Sequence, residues 1–332
     1  MSAGKQTLGL TSVLLAMAAF ACGDSSDDET QSSTSTASTT TSESSSHQTA
    51  DSNASTTSTS EENCTVAGDA ESLDLAGPCA SASRLGGFRI EEQTLFSIMA
   101  GEVADGVPPL SILQDVATYG ACKILRRPNL VCDPPCNADE TCNLEEMCVP
   151  YPRNQDLGVV EVDGLNKCLN LSAAAVGKKY TDNDLPHPVF EPGALVELRT
   201  PPGAFGPLLL HGQGVEALEL AAGDWRVLAG QATLVRWTAP TMKTRAWIDL
   251  RINVDQHGLS PASLYCTVED TGWFEIPAEA IDALYDLGVS GAPSGSLTRR
   301  SVDSQQVNGG CVDLSVGSSR TPSICIREAD CK

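Results

Sequence analysis

Little in this chain has the residue types and spacing for catalysis, and histidine accounts for most of that little. His257 lies in Asp255-Gln256-His257-Gly258, where a carboxylate two residues away would orient an imidazole for acid–base work. The same four residues suit a hairpin turn, and no partner nucleophile is visible. His187 is bracketed by prolines, and His211 follows the apolar run Leu208-Leu209-Leu210. There is no G-x-S-x-G, H-E-x-x-H, Walker loop or C-x-x-C motif in the sequence. No catalytic residue, cofactor or metal site is therefore expected. A hydrolase built on Asp255 and His257 is kept as the alternative reading.

Recognition leaves a different trace. Trp247 falls on the polar side of an alternating segment, where a large aromatic is out of place. Tyr265, with Trp225 and Trp273, would complete a platform for stacking a sugar or docking a protein. The competing explanation packs Trp247 beneath a loop or against a second β domain, as in a purely structural protein.

The chain has thirteen cysteines. Four of them, Cys132, Cys136, Cys142 and Cys148, bound a segment with few apolar side chains, so cross-links must hold its shape. Alternation, Cys132 with Cys142 and Cys136 with Cys148, is the favoured arrangement among the three that four cysteines allow. The spacing resembles short EGF-like modules of secreted proteins, with fewer cysteines than a full one. Zinc is excluded by the missing C-x2-C pair and histidine, and the acidic residues between lack EF-hand spacing. Cys64 and Cys79 flank a polar loop that one local disulfide would close. Cys122 and Cys168 remain as partners across the Cys-rich module, and Cys325 and Cys331 would close a small terminal loop.

Export and anchoring follow from the other end. The uncharged run from Leu8 to Ala19 is too short to span a bilayer and reads as the core of a signal peptide, residues 1–21. Ala19-Phe20-Ala21 is an A-x-A cleavage site, and with Cys22 it resembles the lipobox of bacterial lipoproteins. Cysteine parity separates the two readings. Acylating Cys22 leaves an even set for disulfides, whereas simple cleavage strands a thiol on a flexible tail. The lipid chains would tie the protein to the membrane. Gly23 rather than Asp follows, which by the enteric sorting rule implies the outer membrane or cell surface.

Residues 23–62 are rich in Ser and Thr, hold eight acidic residues and no Lys or Arg, and offer only Ala37, Ala50 and Ala54 to a core. Such a segment is expected to be disordered, a tether with a reach of about 35 Å. The formal charge of −22, with no basic stripe, excludes nucleic acid as a partner. Cell-wall glycan and envelope proteins remain as partners.

The head must then be built from short β-branched runs separated by turn residues, the pattern of a β-sandwich, single or double. In Ala246–Asp255 the alternation is unbroken: Ala246, Ile248, Leu250, Ile252 and Val254 face a core, while Asp249, Arg251 and Asn253 join Trp247 outside. Leu264, Cys266 and Val268 repeat it. Leu195–Leu198, Leu208–Leu210, Val215–Leu220 and Val312–Val316 are further strands. One helix is expected, starting with Pro277 at its first position and carrying Ile281, Leu284 and Tyr285 on one face. The organisation expected is a β domain over 63–175 with an inserted Cys-rich module at 132–152, then a β-sandwich over 176–332.

Arg236-Trp237-Thr238, Asn253-Val254-Asp255-Gln256-His257-Gly258, Gly288–Gly291, Cys311-Val312-Asp313 and the Cys132–Pro152 module resemble Cys-rich lipoproteins of the myxobacterial type. The resemblance covers most of residues 84–316. It implies an envelope location and a β-rich fold, carries no established activity, and implies a Cys266–Cys311 disulfide.

Overall fold

Alternation of apolar and polar side chains builds most of this fold. In Trp247–Asn253, Ile248, Leu250 and Ile252 are fully buried and Arg251 is exposed, as a two-residue period requires. The computed structural model describes residues 66, 70, 73–253, 262–288 and 293–331. Cys22, the tether, Cys64, Asp255 and His257 lie outside them.

The first strands are β1 (Arg84–Glu92), β2 (Ser97–Val103), β3 (Gln114–Tyr119), β4 (Cys122–Arg126), β5 (Glu140–Cys142) and β6 (Cys148–Pro150). Next come β7 (Val160–Asp163), β8 (Leu169–Leu171), β9 (Tyr180–Asp182), β10 (Leu195–Arg199), β11 (Leu209–Gln213), β12 (Trp225–Arg226) and β13 (Thr233–Arg236). The chain closes with β14 (Trp247–Asn253), β15 (Ala262–Val268), β16 (Trp273–Ile276), helix α1 (Ala278–Asp286), β17 (Ser294–Val307), β18 (Gly310–Arg320) and β19 (Ile324–Cys325).

Nine strands form one sheet in the order β3-β4-β15-β14-β17-β18-β1-β2-β9. All its pairings are antiparallel except β1 with β18. One half of this sheet packs on the four-stranded sheet β11-β10-β7-β8. Phe88, Ile90, Met99, Tyr180 and Leu314 there meet Val160, Val162, Leu198 and Leu210. In the other half Ile124, Leu250, Leu264 and Leu297 are covered by Trp225, Val235, Ile276 and the apolar face of α1, Ile281 and Leu284. Each such buried side chain contributes about 1.5–3 kcal/mol. The head is thus a β-sandwich in which two cores share one sheet. The boundary expected at residue 175 does not divide it, because the nine-stranded sheet takes strands from both sides.

The two cores meet along β17, whose inner face is polar for a structural reason. Strand β11 lies at the edge of its own sheet, so the N–H groups of Leu209, His211 and Gln213 have no strand to donate to. They donate instead to Gln305 Oε1, Asp303 Oδ2 and Ser301 Oγ, each at 2.9 Å. Ser301 also donates its hydroxyl proton to the Gln213 carbonyl at 2.9 Å. Both sets run at two-residue spacing, so side chains of β17 replace the missing strand. One step further, the Arg299 guanidinium is 1% exposed and uses all its nitrogens. It holds Asp270 through Nε (2.5 Å) and Nη2 (3.2 Å), and donates to the carbonyls of Glu216, Ala217 and Thr238.

Five disulfides join described cysteines. Cys132–Cys142 and Cys136–Cys148 staple the small β5–β6 ribbon, and Cys325–Cys331 closes a loop at the C-terminal end. Three pairings differ from those read in the sequence. Cys79 bonds Cys311 instead of Cys64, because the chain entering β1 runs beside the start of its parallel partner β18. Cys122 bonds Cys266 instead of Cys168, since the two sit opposite each other on β4 and β15 with Cα atoms 4.0 Å apart. Cys168 is itself disulfide-bonded. A Cys266–Cys311 bond is excluded by strand order: β14 and β17 lie between β15 and β18, about 14 Å at ordinary strand spacing.

Other local expectations shift too. Val215–Leu220 is not a strand; Val215 and Leu218 are buried as the segment crosses the head, and the Leu218 N–H donates to Ser318 Oγ at 3.0 Å. Pro277 precedes α1 as its N-cap, and its carbonyl accepts the Ala280 N–H at 3.1 Å. Among the described residues no helix is long and apolar enough to cross a membrane. A head with this many disulfides belongs to an oxidising, extracytoplasmic compartment.

Replacing Arg299 with Met should destabilise the head by about 3–5 kcal/mol, because Asp270 would be left buried and unpaired. Urea unfolding of the two proteins measures this. A loss below about 1 kcal/mol would show that the contact between the cores does not depend on the guanidinium.

Candidate recognition surface

Trp247 and Tyr265 stand on the solvent side of β14 and β15, as alternation requires, but neither ring is presented freely. Both are half-buried and belong to a network around the carboxylate of Asp249. Trp247 Nε1 donates to Asp249 Oδ1 at 3.2 Å and Thr267 Oγ1 donates to it at 2.8 Å. Arg300 Nε donates to Asp249 Oδ2, and Arg300 Nη2 donates to the Tyr265 hydroxyl at 3.0 Å. Asp249 itself is 6% exposed, so this network is what makes its burial tolerable. Burial first, and then the charge of Asp249, push the Tyr265 phenol up to about 12. Burial opposes the charge on Arg300, yet Asp249 keeps its pKa raised.

The four aromatics do not form one platform. Trp225 is 5% exposed and fills the core beneath β12. Trp273 is elsewhere again, on the β13–β16 ribbon, and is 59% exposed. In Trp273-Phe274-Glu275-Ile276, Ile276 is buried and packs inward with Phe274, while Trp273 and Glu275 face solvent. A tryptophan sharing a face with a glutamate was the sequence signal for this surface. Trp247 shared a face with Asp249 and Arg251 in the same way, and only the network separates the two cases.

Around Trp273 the ribbon forms an open groove of about 600 Å3. Arg236 lies directly across from Trp273, and Leu234 across from Glu275. Leu220 bridges to Trp237, and the Ala221 N–H donates to the Arg236 carbonyl at 3.1 Å, so a third extended segment widens the floor. Trp237 is buried and its indole nitrogen donates to Asp270 Oδ1 at 2.7 Å. Asp270 is the carboxylate clasped by Arg299, so the groove floor is tied to the seam between the cores. Gly272 turns the chain into β16 at φ +93°, and its carbonyl accepts the Trp237 N–H at 2.9 Å. A β-carbon there would come within 3.1 Å of Ala239 Cβ.

The histidines and the clustered sulfurs line neither this groove nor a second opening of about 500 Å3 beside Arg84, Glu102 and Lys179. His187 Nδ1 lies 3.0 Å from Ser97 Oγ, but Ser97 is only 1% exposed and no substrate carbonyl could reach it. His211 sits between Glu197 (3.3 Å) and Asp303 (3.8 Å), the latter already holding the edge of β11. The sulfurs of Cys132, Cys136 and Cys148 lie close together, but all three are in disulfides and have no thiolate to offer a metal.

No protein-family model matches the chain, and no curated protein does. Among solved structures it is similar to the crystal structure of chicken CNTN1 FN1-FN3 domains, at 6% identity and a TM-score of 0.17. That likeness covers 64% of this chain and 65% of that one, under two thirds of its length, and carries no argument about fold or role.

The Asp249 network has a consequence at alkaline pH. The Tyr265 phenol is raised from 10.0 to about 12, so above pH 10 the unfolded chain ionises before the folded one. Its contribution is complete below pH 10 and is lost as pH rises to about 12. Melting temperatures across this window should fall, with a shallower fall in Tyr265→Phe; Tyr180 and Tyr285, raised chiefly by burial, act in the same direction. Parallel curves for the two proteins would refute the assignment.

Proposed function

We propose that this chain is an envelope lipoprotein of the Cys-rich myxobacterial type, anchored through acylated Cys22. A tether rich in Ser and Thr carries its β-sandwich head, which binds an envelope ligand rather than transforming one. The observation that carries the binding role is the exposure of Trp273 over an open groove, where an apolar ring gains nothing for the fold. The groove contains no histidine, cysteine or serine, and so lacks the residues of common nucleophilic chemistry. Disulfides and the sealed edge of β11 suit a head that works outside the cell, where no chaperone restores it. Cell-wall glycan and envelope proteins are the partner classes that such a location offers.

Two measurements test this reading. Intact mass of protein purified from native membranes should correspond to a chain beginning at an acylated Cys22. An unmodified Cys22 would remove the anchor. Sedimentation of the purified Cys22→Ser chain, which carries no lipid, with isolated cell envelopes should be lost in Trp273→Ala, with an unchanged melting temperature. Retention equal to wild type would move the binding surface away from the groove.

A further inference from the structure

Starting from the binding role above, and resting on it, we infer that the Trp273 groove takes a neutral polysaccharide, with one pyranose ring stacked on the indole. Three features of the groove select this class. The first is the ring itself. An indole exposed on a strand face offers a flat apolar surface matched to the C–H face of a sugar, and little to an anion.

The second is how the polar groups are arranged around it. Arg236 stands directly across from Trp273 on the paired strand, and Glu275 lies two residues along on the same face. Both are exposed, and among the described residues neither has an ion-pair partner. A guanidinium fork donating to two neighbouring hydroxyls and a carboxylate accepting from a third together answer a polyol. Such ready donors and acceptors beside an apolar plate fit a ligand that is apolar on its faces and hydroxylated round its rim.

The third is charge. Arg236 and Glu275 cancel within the groove, while the chain as a whole carries −22. An anionic polymer would meet one cation inside a strongly negative field, and a cationic one would find more acidic surface elsewhere. A neutral chain is indifferent to the field and uses both side chains. The opening of about 600 Å3 lies within the range of small-ligand sites.

The test is affinity electrophoresis of the exported full chain, with Cys22→Ser to remove the lipid anchor, through gels containing a neutral glucan, an acidic uronate polymer or neither, paired with envelope sedimentation of the same chain. Retardation by the neutral polymer alone is expected. Trp273→Ala should raise the apparent Kd about tenfold or more, and Arg236→Ala or Glu275→Gln by smaller factors, with melting temperatures unchanged. Trp273→Phe should recover part of the loss, which a merely structural role for the indole would not predict. Retardation by the uronate polymer alone would overturn the assignment of a neutral ligand. Trp273-dependent binding to envelopes that neutral oligosaccharides fail to compete would place a protein in the groove, overturning the inference and leaving the binding role intact. Envelope binding independent of Trp273 would overturn both.

Discussion

A single buried guanidinium fixes how the two halves of the head meet. Arg299 lies on the inner face of β17, in the row shared by Ile248 of β14 and Ser318 of β18. Removing a cation from water costs several kcal/mol unless every donor is answered. Here each nitrogen is answered, by the Asp270 carboxylate and by carbonyls from the two crossing segments near Glu216 and Thr238. Those contacts can be satisfied together in one arrangement only, because the planar fork sets the directions of its five hydrogens. Asp270 in turn holds the Trp237 indole, so the geometry of the surface groove depends on a contact deep in the interior.

The same strand solves a second problem. An edge strand is an invitation to unwanted pairing, and β11 is kept from it by Ser301, Asp303 and Gln305. A side chain at each alternate position of β17 meets an N–H at each alternate position of β11. This joins a sheet edge to a sheet face without another strand. It requires polar residues where a sandwich core ordinarily asks for apolar ones.

That requirement explains what the sequence could and could not reveal. β14 and β15 were legible because their inner faces meet hydrocarbon, and alternation follows directly from that. β17, although 14 residues long, was invisible. Its sequence, Ser294-Gly-Ser-Leu-Thr-Arg-Arg-Ser-Val-Asp-Ser-Gln-Gln-Val307, is polar on both faces, because its inner partners are backbone groups of another strand. The Cys79–Cys311 and Cys122–Cys266 bonds were illegible for a related reason: each depends on strand order, which local pattern does not encode. The short-range pairs Cys132–Cys142, Cys136–Cys148 and Cys325–Cys331 span 12 residues or fewer and close loops whose geometry is local. For the aromatics, alternation placed Trp247 and Tyr265 on outer faces, but whether a ring is free is decided by neighbours such as Asp249 and Arg300.

The Cys79–Cys311 bond also has a mechanical meaning. Tension on the segment that leads directly into β1 reaches Cys79 five residues before the strand begins. There it passes through a covalent link into β18, a strand flanked on both sides within the large sheet. Strand β1 therefore cannot be peeled from its N-terminal end one hydrogen bond at a time, the weakest way to open a sheet. A head of this design could be dragged by flowing liquid or by a moving neighbour and keep its first strand seated. Reduction of that bond would remove the covalent link and with it this resistance.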